Sequence, residues 1–307
     1  MRLSIVLGFA IVGLTACGSV TPTANSIAAL QIEQPAKKSD LLYVSDSSTG
    51  DVYVYTYPQG TLSQTLTGFG EPLGLCVDKK GDVFVADEYD ADIVEYPHGG
   101  SSPIATFSDA NHNPGGCAVN PKNGDLAVAN LHNASSTGAH GPATISLYKP
   151  KSSKYSNLYS DSAFAAFWYC GYDAKGNLFV DGYKKNGSAT GLAELPNGSS
   201  TFTNLKLSQT LLAPGGVQWN RKYLAVSDQQ MTIYQFSISN GNATEHGSSS
   251  LQDANGLYEF WIEGPDVAGT SSGSGSVGIW KYPSGGSPIK TITGLTTPLG
   301  LTISSAK

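Results

Sequence analysis

The chain has 307 residues, 18 of them basic and 24 acidic, for a formal net charge of −6. Charged residues make up only 14% while glycine (36) and tyrosine (16) abound, a mixture that suits a turn-rich all-β protein and is too hydrophobic for a disordered chain. No Lys/Arg cluster longer than a pair occurs, which argues against a phosphate-binding face and so against nucleic acid as a partner.

The first residues, "MRLSIVLGFAIVGLTACGSV", place one basic residue before an apolar run, Leu3 to Leu14, that is too short to span a bilayer. Small residues and a cysteine follow, which is the layout of an export signal. "LTAC" at 14–17 resembles the lipobox of bacterial lipoproteins. That resemblance implies cleavage before Cys17, with residues 1–16 as signal peptide, and acylation (palmitate-type) of the cysteine. Several acyl chains, each stabilised by about 0.8 kcal/mol per buried CH₂, would hold the protein to the cell envelope. Gly18 and Ser19 follow the cysteine with no Asp in the second mature position, which favours the outer membrane over the inner. Residues 17–40 are small, polar and punctuated by proline, and read as a flexible tether.

From residue 41 the sequence repeats. Short apolar strands start at 41 ("LLYVSD"), 82 ("DVFVAD"), 125 ("DLAVAN"), 177 ("NLFVDG"), 223 ("YLAVSD") and 266 ("DVAGTS"), at spacings of 41, 43, 52, 46 and 43 residues. In each unit a second run alternates apolar and polar residues, as in "DVYVYTYP" or "VGIWKYP", which argues strand. In four units Pro and Gly follow ("YPQG", "YPHGG", "LPNG", "YPSGG"), a pairing that makes a tight reversal. A polar Ser/Thr-rich strand comes next, suited to an outer edge, and then a further strand such as "PLGLCVD" or "PGGCAVN". Four antiparallel strands in 40 to 45 residues is the period of a β-propeller blade. The array opens on a second strand and closes on an unpartnered first strand, "PLGLTIS" at 298–304. The prediction is a six-bladed propeller over 41–307 whose ring is closed by the C-terminal strand pairing with the N-terminal blade.

The pattern "PxGLxVDxxGDVFVADxxxxDIVEYP" resembles the NHL-repeat and gluconolactonase-like six-bladed propellers, and it extends over essentially all of 41–307. It departs at the inserted "LHNASSTGAHGPA" and in the unit at 223–265, which lacks the Pro-Gly reversal. The resemblance implies a site at the channel mouth where the inter-blade loops enter the first strands. It also implies carboxylate and amide ligands for a divalent metal in a lactonase-type hydrolase.

Only Glu71, Asn113 and Asn255 match such ligand positions, with Asp253 nearby, and Ca²⁺ would need water for many of its six to eight oxygens. No separate carboxylate matches a general base, so no catalytic residue is assigned. Asp46, Asp87, Asn130, Asp181 and Asp228 end second strands, and their recurrence points to capping of the turn to the next strand. Of the five histidines, His112 in "DANHNPGG" adjoins the mouth as a base or ligand candidate. His98 falls in a turn, and His132 and His140 fall in the insertion without metal-type spacing. A His112–Glu71 pair of the streptogramin-lyase type belongs to a seven-bladed family and is set aside. Phe167 and Trp168 in "AFAAFWYC" offer a stacking platform for sugar or peptide, with core packing the favoured role. Trp219, Trp261 and Trp280 read as packing. Cys76, Cys117 and Cys170 lie in first strands and are expected as buried thiols, with a Cys76–Cys117 bridge the less favoured alternative.

The favoured function is a monomeric binding or scaffold module without cofactor. It would be anchored to the membrane by lipid alone and would recognise a protein, peptide or glycan through its mouth loops. The alternative is a metal-dependent hydrolase, with Ca or Zn, at the same place.

Overall fold

The computed structural model describes residues 39–133, 142–185 and 189–307. The signal segment, Cys17, most of the tether, His140 and the side chain of His132 lie outside the described residues. The described chain is all β apart from one short 3-10 turn, Ser272–Ser274.

Blade one contains β1 (Leu41–Asp46), β2 (Asp51–Thr56) and β3 (Leu62–Thr67), and blade two β4 (Pro72–Val77), β5 (Val83–Asp87), β6 (Asp92–Tyr96) and β7 (Ala105–Ser108). Blade three is β8 (His112–Val119), β9 (Leu126–Asn133), β10 (Ala143–Tyr148) and β11 (Asn157–Asp161), and blade four β12 (Phe164–Tyr172), β13 (Leu178–Lys184), β14 (Thr190–Leu195) and β15 (Thr203–Asn204). A short β16 (Lys206–Leu207) precedes blade five, which is β17 (Val217–Asn220), β18 (Tyr223–Ser227), β19 (Thr232–Ser239) and β20 (Asn242–Ser250). Blade six is β21 (Phe260–Glu263), β22 (Asp266–Ser271), β23 (Ser276–Lys281) and β24 (Lys290–Thr293), and the chain ends on β25 (Pro298–Ser304).

The order β25-β1-β2-β3 makes the last strand the innermost of the first blade, as the repeat phase predicts. β25 runs antiparallel to β1 with Leu41 opposite Ser304 and Val44 opposite Leu301. The carboxylate of Asp46 accepts hydrogen bonds from Thr296 N at 2.6 Å and Thr297 N at 2.9 Å, holding the loop that feeds this strand.

Polarity grades outward along each blade because burial does. Every residue of β1 is buried between its sheet neighbours and the adjoining blades, β2 alternates, and β3 buries only Leu66. The apolar faces meet in six clusters, each drawn from two adjacent blades. Leu41, Tyr43, Val52 and Val54 of blade one, for example, pack on Leu75, Val83, Val85 and Tyr96 of blade two. A single blade therefore has no core of its own.

Two local departures have simple causes. "TFTNLKL" does not form one outer strand: it leaves blade four after Thr203–Asn204 and pairs parallel with β20 through Lys206–Leu207, while Leu205 turns inward and is buried. Where blade five lacks Pro-Gly, Asn240 and Gly241 take φ of 50° and 72°, the residue pair that a two-residue hairpin favours.

Cys76 and Cys117 form a disulfide between blades two and three, correcting the expectation of three free thiols. The physical reason is register. Cys76 stands one position further along its strand than Cys117, so the two point to opposite blade faces, and opposite faces of neighbouring blades meet in the seam. Cys170 remains free and buried.

Candidate ligand site on the ring axis

The acids ending the second strands are structural, but they hold different donors from those expected. Asp87 accepts from Gly70 N and Glu71 N, both at 2.8 Å, and Asp181 from Tyr169 N (2.9 Å) and Gly215 N (2.7 Å). They clamp the incoming inter-blade loops, as Asp46 does; Asp228, bonded by Gln230 N at 3.2 Å, caps the following turn. Asn130 donates to the hydroxyls of Thr144 and Ser146.

On the loop face, Asn113 donates to Glu88 Oε1 at 3.3 Å. Burial, then the charge of neighbouring Glu71, raises the Glu88 carboxyl, and the bond from Asn113 opposes them. Glu71, Glu88 and Asn113 thus gather, and Glu88 was not singled out from the sequence. Asn255 sits in the blade-six loop, its side chain packed against Gly273 and its N–H donating to Ser271 Oγ at 2.8 Å. Among the described residues no group of three or more His, Cys, Asp and Glu assembles as a metal cage.

His112 is buried and turns its Nδ1 to Asp109 Oδ1 at 3.2 Å, not to Glu71. The same oxygen accepts from Ser146 Oγ at 2.6 Å. Activation of a serine needs the imidazole between hydroxyl and carboxylate, and here the carboxylate stands in the middle. The trio ties the loop before β8 to β10. Phe167 is fully buried against Phe164 and Phe202 and presents no surface to a ligand; Trp168 is half-buried beside Tyr169 and Tyr183.

The loop-side halves of the first strands approach backbone to backbone. A Cβ on Gly74 would stand 2.7 Å from the Gly116 Cα, and one on Gly300 would collide with Leu73 O. The glycines of "PLGL" and "PGG" therefore let the strands converge on the axis. Beyond this level, toward the hairpin face, a cavity of about 230 Å³ opens between the distal halves of five first strands. Tyr172, Trp219 and Trp261 contribute aromatic wall, the Cys76–Cys117 bridge and Cys170 line it too, and the ring of Phe260 is buried in the core between blades five and six. Trp219 and Trp261 are half-buried there, unlike Trp280, which is core.

Glu259 forms the floor. It is only 8% exposed and reaches from blade six across to blades one and two, where its Oε2 accepts from Leu301 N (2.8 Å) and Leu75 N (3.1 Å). No donor among the described residues reaches Oε1. Burial raises this carboxyl to about 8, the two backbone N–H groups opposing the shift only in part. Asp181, wholly buried nearby, is likewise raised by burial. Together with burial they push the Tyr169 hydroxyl and the Cys170 thiol upward. The sequence reading passed over Glu259 inside "NGLYEFW". The available signal was its spacing of two from Trp261, which puts a carboxyl and an indole on the same strand face.

A six-bladed β-propeller with an acid-floored, aromatic-walled axial well is thus the class of protein that the fold and site define. No protein-family model matches the chain, and no curated protein does. Among solved structures it is similar to a chain of a nidogen/laminin complex, at 14% identity and a TM-score of 0.69, over 86% of this chain and 98% of that one. It is also similar to a protein of unknown function from Bacteroides caccae, at 11% identity and a TM-score of 0.65, over 87% and 99%. At these identities the likeness shows the fold alone.

Proposed function

We propose that this chain is a non-enzymatic binding propeller of the NHL or gluconolactonase-like kind, carried on the bacterial envelope by an acylated Cys17. The observation that carries the binding reading is the axial well. A nearly buried carboxyl with one oxygen unmet by any described residue stands under aromatic walls in an open concavity, and such convergent polar groups in a pocket are the usual mark of a ligand site. The lipobox-like "LTAC" supports the anchor, with the outer membrane favoured, and residues 18–40 supply the reach.

Two measurements test this. Indole fluorescence of the full-length protein, titrated with a panel of small organic molecules, is expected to respond through Trp219 and Trp261 and to lose most of that response in Trp261→Phe. Cys17→Ala is expected to move the protein from the membrane to the soluble fraction. A panel without a single saturable response, or a Cys17→Ala protein that stays with membranes, counts against the respective half. Stoichiometric Ca²⁺ or Zn²⁺ in purified protein, lost on Glu71→Gln, would instead favour the hydrolase built on Glu71, Asn113 and Asn255.

A further inference from the structure

We infer that the axial well takes a small organic amine, its ammonium group on Glu259 Oε1 and its apolar body against Trp219 and Trp261; this rests on the binding reading above. Three features of the site select that chemistry. First, its lining offers no Lys, Arg or His to meet an anion. Second, a carboxyl held away from water is destabilised when charged unless a cation pairs with it, and Oε2 already carries the two backbone donors while Oε1 has none. Third, indole faces attract cations, and Trp219 and Trp261 are half-buried at the well. The volume of about 230 Å³ admits a body much larger than a few waters.

The ionisable groups packed round Glu259 do not supply that cation. β12 contributes Tyr169, Cys170 and Tyr172, β8 contributes only the disulfide-bonded Cys117, β13 contributes Asp181, and Tyr258 precedes Glu259 in the chain. β4 offers only Cys76, locked in its disulfide, β17 and β25 offer none, and Glu263 ends β21. Every one of these is acidic or neutral, so an arriving ammonium meets no like charge.

The proton balance follows from the raised carboxyl. Below about pH 8 the acid is protonated, so an alkylammonium that pairs with it displaces one proton to the buffer. Affinity should therefore rise about tenfold per pH unit from pH 6 and level off above about 8.

The test is calorimetric titration of the full-length protein with 2-phenylethylamine, 2-phenylethanol and 3-phenylpropionate, repeated in buffers of different ionisation enthalpy. The amine is expected to bind at least about tenfold tighter than the alcohol, to release close to one proton at pH 6.5, and to lose its preference and its pH slope in Glu259→Gln. The wild-type proton release needs no variant and stands even where Glu259→Gln folds poorly. Alcohol binding equal to amine binding, or amine binding without proton release, overturns the inference and leaves the binding reading intact. No saturable binding by any of the three or by the wider panel overturns both.

Discussion

Glu259 makes stability depend on pH in a direction opposite to that of most carboxylates. Its ordinary value is 4.5 and the folded protein holds it at about 8. Between those values the folded state binds the proton more tightly than the unfolded chain, so stability falls as pH rises. The contribution is intact below about pH 4.5, declines through the interval and is fully lost above about 8. At about 1.4 kcal/mol per unit, the span amounts to at most about 5 kcal/mol, a large share of the 5–15 typical of a folded domain. Glu259→Gln keeps a carbonyl to accept from Leu75 N and Leu301 N but cannot ionise. Urea midpoints from pH 5 to 9 should find the variant close to wild type at the acid end and several kcal/mol more stable at the alkaline end. Taking the difference removes the other raised acids, such as Asp92 at about 6, which are common to both proteins. Parallel pH profiles for the two proteins would refute the reasoning.

Two further perturbations test the ring. Deleting Thr296–Lys307 removes Leu301 and Ile303 from the seam between blades one and six, a loss of roughly 3–6 kcal/mol in burial before any hydrogen bonds are counted; thermal unfolding should drop sharply, and an unchanged midpoint would mean that the strand does not close the ring. Cys76→Ser with Cys117→Ser opens a loop of 41 residues, which by loop-closure entropy costs about 4 kcal/mol; the unfolding midpoint should fall in the variant and in reduced wild type alike, and a midpoint indifferent to reductant would count against the bridge.

The blades were legible because each is a self-contained text: alternation, reversal and outer polarity recur within some 40 residues, and the unpaired "PLGLTIS" announces how the ends meet. The candidate site was not, because its walls come from five first strands far apart in the chain. Only half of what the glycines of "PLGL" and "PGG" do is visible in the text: in sequence they introduce a strand, and in space they let neighbouring backbones touch. The disulfide was half legible. The register step between Cys76 and Cys117 is visible in the text, but its meaning depends on the ring bringing opposite blade faces together.

The floor of the well and the closure of the ring are built from one side chain. Glu259 Oε2 receives its shorter bond from Leu301 N on the closing strand and its longer one from Leu75 N on blade two. Glu259 belongs to blade six, so one carboxyl joins the two blades at the seam and the blade beyond it. The acid cannot move far without disturbing the register in which Leu301 faces Val44, and that strand cannot leave without stripping the acid of a donor. A group that fixes Oε1 from the well side therefore also fixes the seam. Under the proposed binding, occupancy of the axis and integrity of the ring would be coupled through the bonds of about 3 Å that Glu259 Oε2 accepts from Leu301 N and Leu75 N.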